Sequence, residues 1–219
     1  MGDPKLYAVD GTFALFYNAH FPVGASERAR YAATAIPMSG VGVDINLAVS
    51  DDLITWIKLG PVIDRAVTRC WAKGAVIPRS PLGEAVKIDG GYLMFVSEGC
   101  NGQQHIGRSS DLRAWTFEPH TYIDPNPFDG SLHEVATALV TGDRLILDFF
   151  YSDAIGPAAG QALYSLEQPT RAPAYSRGGT RAWGGLISWH GHWLFAQGWD
   201  APPGTHELQF HTAPITAHG

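Results

Sequence analysis

Short stretches rich in apolar, β-branched and aromatic residues, each broken by a glycine-containing turn, run along the whole chain. On either side of Asp10-Gly11 they read K-L-Y-A-V and T-F-A-L-F-Y-N. Around Asp89-Gly90 they read E-A-V-K-I, beginning at Glu84, and G-Y-L-M-F-V-S-E. High strand propensity on both sides of a D-G pair is typical of a β-hairpin. We therefore expect two hairpins here, the second with an acidic residue at its first position.

Two more hairpins are indicated further along the chain. A-T-A-L-V and R-L-I-L-D-F-F-Y-S flank residues 141–143, with Glu134 near the start of the first strand, and L-I-S-W and H-W-L-F-A-Q flank His190-Gly191. The turn glycines are about fifty residues apart, except for a longer first interval, and no helical periodicity lies between them. Such a period predicts an all-β fold, a β-propeller of four to five blades, each a small antiparallel sheet, around a central pocket. We expect one domain over 1–219 with units near 3–60, 71–118, 131–176 and 181–213; a β-sandwich is the alternative, but it does not explain the repeat.

A second pattern, S-x-D-L-x-x-W, occurs twice, at residues 50–56 and 109–115. A turn capped by Ser and Asp, with Leu and Trp closing over an edge strand, explains this spacing physically. Residues 19–42, which follow the first hairpin, are rich in Pro, Gly, Ser and Ala, and they predict a long loop that serves as a lid or a rim.

Composition narrows the function classes. With 219 residues and 45% hydrophobic content the chain can bury a sizeable core, whereas only 16% of residues are charged and the formal net charge is -6. No basic stripe gathers phosphates, so we expect no nucleic-acid partner. No export signal or membrane-spanning run is seen in the given chain, which predicts no membrane association and a cytoplasmic location. Cys70 and Cys100 are two ordinary thiols or one bond.

Acidic residues stand at or near the start of three of the four predicted hairpins, with Asp3-Pro4 directly before the first. Together with the S-x-D-L-x-x-W pattern, this arrangement resembles the five-bladed propeller glycosidases, a group that includes glycoside hydrolase families 43, 32 and 130. Asp3 is similar to the first-blade general base of that group, and Glu134, in H-E-V-A-T-A-L-V, to its third-blade general acid. Glu84 stands where family 43 has a W-A-P-D aspartate that tunes the pKa of its neighbours.

The resemblance implies a glycoside hydrolase that acts on a small glycoside or oligosaccharide by inverting acid/base hydrolysis. That reaction needs one carboxylic acid to protonate the leaving oxygen and one carboxylate to activate water, and acids packed around one pocket push their pKa values apart. The expected roles are Asp3 as base, Glu134 as acid and Glu84 as modulator. We expect no cofactor and no metal, because His190 and His192 face each other across a turn with no third ligand nearby.

Several residues near the same end of the predicted blades are candidates for substrate binding. Trp71 and Trp183 can stack on a sugar ring or pack between blades, and His133 can hold a hydroxyl. Arg79 and Arg181 can reach hydroxyls, a carboxylated sugar or phosphate, or remain solvated.

Alternatives follow from departures from the family pattern. The segment W-A-K-G-A-V-I-P also resembles the family-130 segment in which a Lys binds phosphate, with Lys73 matching that Lys and Gly74 standing where that family has Asp. A glycoside phosphorylase is therefore one alternative. A non-catalytic glycan-binding propeller, or a propeller acting on a non-sugar small molecule, is another. Since only four units are counted, a homodimer that completes a blade is a further expectation.

Overall fold

Four antiparallel sheets follow one another along the part of the chain that the computed structural model describes, residues 2–31, 40–171, 173–178, 186–197 and 209–214. The first sheet contains β1 (Gly2–Val9), β2 (Thr12–Pro22), β3 (Val41–Ser50) and β4 (Ile57–Pro61). The second contains β5 (Ala72–Val76), β6 (Tyr92–Gly99), β7 (His105–Ser109) and β8 (Thr116–Pro119). The third contains β9 (Ser131–Thr141), β10 (Arg144–Ser152), β11 (Pro157–Ser165) and β12 (Ala174–Arg177), and the fourth β13 (Leu186–Trp189), β14 (His192–Gln197) and β15 (Gln209–Pro214).

Within each sheet the strands pair in sequence order, so every sheet is a meander with its first strand at one edge. The sheets are arranged as a four-blade β-propeller, which confirms the predicted fold class. Neighbouring blades bury apolar faces against each other. One core cluster, including Phe16, Leu47 and Met94, lies between the first two sheets, and a second, including Phe95 and Phe149, lies between the second and third.

The hairpin turns have the geometry that their sequences predict. Asp10 and Gly11 have φ values of 47° and 80°, and Asp89 and Gly90 have 53° and 78°. Two successive residues with positive φ are typical of the tight turns that match the strand twist, and Asp-Gly adopts them readily. The His190-Gly191 turn has the same form, with φ values of 48° and 75°.

The two S-x-D-L-x-x-W segments form matching turns. In the first, the Ser50 hydroxyl accepts from Leu53 N at 2.9 Å, and Asp52 Oδ1 accepts from the amides of Ile54 and Thr55 at 2.8 and 2.7 Å. The indole N–H of Trp56 then donates to Leu53 O at 3.2 Å. In the second turn the corresponding Asp111 and indole bonds are present, and the indole bond is 2.8 Å long. The predicted capped turn is thus found at both places.

Two expectations about local structure were wrong. The inner strand of the second blade is β5, not the stretch after Glu84, which makes only isolated bridges before the turn at Asp89-Gly90. Residues 19–42 are not one loop, because β2 continues to Pro22, a helix α1 (Ala25–Arg30) follows, and β3 begins at Val41. A second short helix is α2 (Arg65–Thr68), and no helix among the described residues is long and apolar enough to cross a membrane. Cys70 and Cys100 are both buried free thiols.

Residues 78–86, which we call the hub segment, connect three inner strands at one end of the propeller axis. The segment folds back on itself through Ser80 N to Glu84 O at 2.8 Å and Val86 N to Pro78 O at 2.8 Å. Other main-chain groups of the segment form hydrogen bonds with the edges of the inner strands β1, β9 and β13 that are not paired within their own sheets. These bonds are Ala8 N to Gly83 O at 3.0 Å, Ala85 N to Ala8 O at 2.9 Å, Arg79 N to Ala138 O at 3.1 Å, Val140 N to Arg79 O at 2.8 Å and Ser188 N to Pro81 O at 2.8 Å.

Candidate functional site

Charged side chains gather at the end of the axis where the inner strands β1, β5 and β9 begin. Asp3 lies near the start of β1, Lys73 near the start of β5 and Glu134 near the start of β9. Because β6 runs antiparallel to β5, its last residues return to this end, and Glu98 pairs with Lys73. We call Asp3, Glu98 and Glu134 the acid cluster.

Glu134 is the most buried member of the acid cluster, with 5% of its surface exposed. Its pKa is raised to about 7 from an ordinary value of 4.5, mainly by burial, and the negative charges of Glu98 and Asp3 contribute in the same direction. The positive charges of Lys5 and Lys73 act in the opposite direction, but they do not cancel the effect of burial. Glu134 therefore holds its proton up to neutral pH.

Glu98 and Lys5 complete the electrostatics of the cluster. Burial raises the pKa of Glu98, while the charges of Lys73 and His133 lower it. Burial lowers the pKa of Lys5, whose ammonium donates to Ala136 O at 3.1 Å and interacts with the charges of Glu134 and Asp3. The positive charge of Lys5 thus acts on both Glu134 and Asp3 and offsets part of the repulsion between their negative charges.

Asp3 is fixed in place although it lies near the start of the chain. It belongs to β1, the register of β1 against β2 shifts between Gly2 and Lys5, and Asp3 adopts a φ of 47° in that bulge. Its carboxylate accepts a hydrogen bond from the side-chain amide of Asn18. A bulge re-aims the side chain that it carries, and here the amide holds the carboxylate in the new direction.

Gly74 sits directly against Glu134. Its φ is 58°, and a Cβ built on it would lie 2.8 Å from Ser97 Oγ and 3.0 Å from Glu134 Cγ. The Ser97 hydroxyl in turn donates to Gly74 O at 3.1 Å and accepts from Val135 N at 2.8 Å. The positive φ favours glycine and a side chain here would crowd Ser97 and Glu134, which accounts for the glycine at the position where family 130 carries Asp.

The structure brings some of the predicted site residues together and separates others. Asp3, Lys73, His133 and Glu134 meet at the acid cluster, and the Lys73 ammonium lies 5.6 Å from the centre of the Trp71 ring. Arg181 and Trp183 lie outside the described residues.

Glu84 is not part of the cluster. It is exposed, accepts a bond from the Ser80 hydroxyl at 3.2 Å, and lies in the hub segment beside Ala8. Ala8 is five residues further along β1 than Asp3; a strand rises about 3.3 Å per residue, so the separation along the axis is about 16 Å. Arg79 belongs to the same hub segment and also lies away from the acids.

One subset of the site has the geometry of a cation site. Ligand atoms of Glu98, His133 and Glu134 lie within 4.8 Å of one another. Two carboxylates and one imidazole are a donor set that divalent metals accept. The charge of His133 lowers the pKa of Glu98, and the charge of Glu98 raises that of Glu134, so Glu98 interacts electrostatically with both of the other groups.

Comparison with known proteins supports the fold. No family model matches the sequence, and no curated protein sequence matches it. One similar solved structure is from the family 130 of mannoside phosphorylases, which contains glycoside hydrolases that target β-1,2 mannosidic linkages in Candida mannan; its TM-score is 0.66 at 18% identity over 98% of this chain and 65% of that one. A β-1,2-mannobiose phosphorylase from Listeria innocua has a TM-score of 0.63 at 16% identity over 97% of this chain and 57% of that one. An α-L-arabinofuranosidase of family 43 from Clostridium thermocellum has a TM-score of 0.64 at 12% identity over 98% of this chain and 69% of that one.

These matches confirm the predicted resemblance to propeller glycosidases at the level of fold. The chain spans 65% and 57% of the first two structures, so it is shorter than they are by about a third or more.

Proposed function

We propose that this chain is a glycoside hydrolase that acts on a small glycoside or oligosaccharide, with Glu134 as general acid and Asp3 as general base. The similar structures are glycoside hydrolases and phosphorylases, which supports a carbohydrate-active enzyme. The acid cluster lies at one end of the propeller axis, where the inner strands β1, β5 and β9 begin.

The observation that carries the proposal is the convergence of Asp3, Glu98 and a buried Glu134 at the end of the axis where the inner strands begin, an arrangement in which burial raises the pKa of Glu134 to about 7. A glycosidase acid must hold a proton at the working pH and still be able to release it to the leaving oxygen, and carboxyls in apolar surroundings are adjusted in this way. A carboxyl that served only as a hydrogen-bond acceptor for a bound glycan would gain nothing from such a shift.

The proposed reaction uses two carboxyl groups on two blades. Glu134 gives its proton to the glycosidic oxygen as the bond from that oxygen to the anomeric carbon breaks. A water molecule attacks the same carbon from the other face, and Asp3 takes the proton that this water loses, so the configuration inverts. Glu98, not Glu84, takes the modulating role, because its charge raises the pKa of Glu134.

The test is a set of aryl glycosides, with arabinofuranosyl, xylosyl, mannosyl, fructosyl and galactosyl donors, assayed with the unaltered protein, Glu134→Gln and Asp3→Asn. Glu84→Gln is the matched control, since it removes an exposed carboxylate far from the cluster. We expect loss of an acid or a base to lower kcat by about 10²-fold to 10⁴-fold and the control to retain full activity. A glycosyl fluoride, whose fluoride leaves without protonation, should still be cleaved by Glu134→Gln but not by Asp3→Asn.

Adding inorganic phosphate to the same assay separates hydrolysis from phosphorolysis. Product release that is independent of phosphate supports the hydrolase, whereas a strict requirement would contradict it in favour of a phosphorylase. A folded protein that binds these sugars and cleaves none of them would instead show a glycan-binding propeller.

A further inference from the structure

A cavity of about 300 Å³ lies along the axis between β1, β9, β13 and the hub segment. Most of its wall is apolar, and no acidic residue is found among the described residues that line it. Four of the lining residues carry polar or charged side-chain groups. The hydroxyl of Tyr7 accepts from Ile77 N at 2.8 Å, and the other three, which can face a ligand, are Lys5, Arg79 and Thr137.

Thr137 is the first sign that something polar belongs in this cavity. It is 3% exposed, and its hydroxyl has no hydrogen-bond partner. Buried polar atoms are nearly always hydrogen-bonded, and leaving one unpaired costs about 1 to 3 kcal/mol. A hydroxyl that lines a cavity can recover this free energy by donating to a bound ligand.

Arg79 and Lys5 give the cavity its charge. The backbone of Arg79 is fixed by two bonds to β9, Arg79 N to Ala138 O at 3.1 Å and Val140 N to Arg79 O at 2.8 Å. Burial lowers the pKa of the Arg79 guanidinium, and burial also lowers that of Lys5. The positive charge of Arg79 lies close enough to lower the pKa of Lys5, so a negatively charged group bound in the cavity would offset the repulsion between the two cations.

Lys5 also connects the cavity to the acid cluster. It lines the cavity, and its charge acts on both Glu134 and Asp3. A ligand held by Arg79 and Thr137 would therefore extend past Lys5 towards the proposed acid and base.

We infer that this cavity binds a small oxyanion, a carboxylate or phosphate group, through Arg79, Lys5 and Thr137. We infer that the molecule bearing this group is an acidic monosaccharide or the acidic end of an oligosaccharide, and this part of the inference rests on the proposed function. Binding of the free anion does not depend on it.

The experiment is isothermal titration of the full chain with D-glucuronate, D-glucose and inorganic phosphate at constant ionic strength set with chloride. The variants are Arg79→Met and Thr137→Val, with Arg113→Met, an exposed arginine on an outer turn, as control. Loss of a charged hydrogen-bond donor should weaken oxyanion binding about 10-fold to 100-fold, and loss of the neutral hydroxyl about 2-fold to 10-fold. The control should bind as the unaltered protein does.

Thr137→Val keeps the test open if Arg79→Met does not fold. Valine has nearly the shape of threonine and leaves no unpaired hydroxyl, so this variant should be at least as stable as the unaltered protein.

The outcomes distinguish an acidic saccharide from a free anion as the ligand. Glucuronate bound at least ten-fold more tightly than glucose, with the preference reduced in the variants, supports an acidic saccharide. Phosphate binding alone, weakened in the same variants, supports the oxyanion site with a free anion as its ligand. No binding of either anion, or equal binding by the unaltered protein and both variants, overturns the inference.

This result is independent of the glycoside assay. Anion binding without cleavage of any glycoside would leave the cavity site standing and remove the proposed function. Cleavage of neutral glycosides without anion binding would support the proposed function and remove the oxyanion site.

Discussion

The side-chain amide of Asn18 on β2 donates a hydrogen bond to the carboxylate of Asp3 on β1. Asn18 is buried, with 5% exposure, whereas Asp3 is exposed at the mouth of the site. A buried amide thus holds an exposed carboxylate, in a bulge close to the start of the chain. Chain ends fray unless they are tied down, and this bond together with the pairing of β1 ties Asp3 to the first sheet.

We expect Asn18→Ala to lower kcat about 10-fold to 100-fold, because a base that is displaced by about 1 Å activates water poorly. The matched control is Asn46→Ala on the neighbouring strand β3, where a buried amide donates to Asp44 O at 3.1 Å and does not contact Asp3. Steady-state kinetics and urea unfolding of both variants check this. Equal loss of activity in the two variants would show that the amide of Asn18 stabilises the sheet and does not position the base.

The pH dependence of hydrolysis should report the charges around Glu134. Because its pKa of about 7 belongs to the acid, kcat/KM should fall as the pH rises above 7 and Glu134 loses its proton. The negative charge of Glu98 raises this pKa, so Glu98→Gln should move the alkaline limb to lower pH. The positive charge of Lys5 lowers it, so Lys5→Met should move the limb to higher pH.

Opposite displacements in these two variants are the diagnostic result, since general damage to the site would not produce opposite signs. Profiles measured at one ionic strength, with whichever aryl glycoside reacts best, are sufficient. If the alkaline limb moved in the same direction in Glu98→Gln and in Lys5→Met, the assignment of Glu134 as the acid would be contradicted.

Stability should depend on pH through the same carboxyl group. Glu134 has a pKa of about 7 in the folded protein and an ordinary value of 4.5. Between these values the folded state holds a proton that the unfolded state has released, so the contribution of Glu134 to stability falls as the pH rises. Glu134→Gln removes this loss, and its stabilising effect should grow from about zero below pH 4.5 to about 3 kcal/mol above pH 7.

Urea unfolding of the unaltered protein and Glu134→Gln at several pH values between 4 and 8 measures that difference. Glu84→Gln, which replaces an exposed carboxylate, is measured alongside as the control. A difference for Glu134→Gln that stays constant over this pH range would show that the pKa of Glu134 is the same in the folded and unfolded states.

Much of the fold follows from local sequence signals. The D-G pairs at Asp10 and Asp89 predict turns with two positive φ values, and S-x-D-L-x-x-W predicts a capped turn whose hydrogen bonds are all local. Asp3 and Glu134 lie near the starts of β1 and β9, strands that the hairpin turns predict, so their position at one end of the axis is predictable too.

The inner strand of the second blade is not predictable in this way. Gly74 lies in the middle of β5, and glycine inside a strand normally weakens the prediction of that strand. The stretch after Glu84 has the stronger propensity, yet it belongs to the hub segment, whose hydrogen bonds go to β1 and to residues far along the chain. Glu98 was missed for a related reason: it lies at the end of the second strand, and only the antiparallel pairing with Lys73 returns it to the site.

Two glycines with positive φ offer a last test, because one touches the site and the other does not. Gly83 in the hub segment has a φ of 89°, and a Cβ added to it would meet nothing within 4 Å, whereas at Gly74 such an atom would lie 3.0 Å from Glu134 Cγ. Gly83→Ala should cost about 1 to 2 kcal/mol of unfolding free energy, from backbone strain alone, with kcat unchanged. Gly74→Ala should cost more than Gly83→Ala, since it adds a steric contact to similar strain, and it should lower kcat by displacing Glu134. Urea unfolding and kinetics of the pair decide this, and unchanged kcat in Gly74→Ala would mean that the position of Glu134 does not limit the reaction.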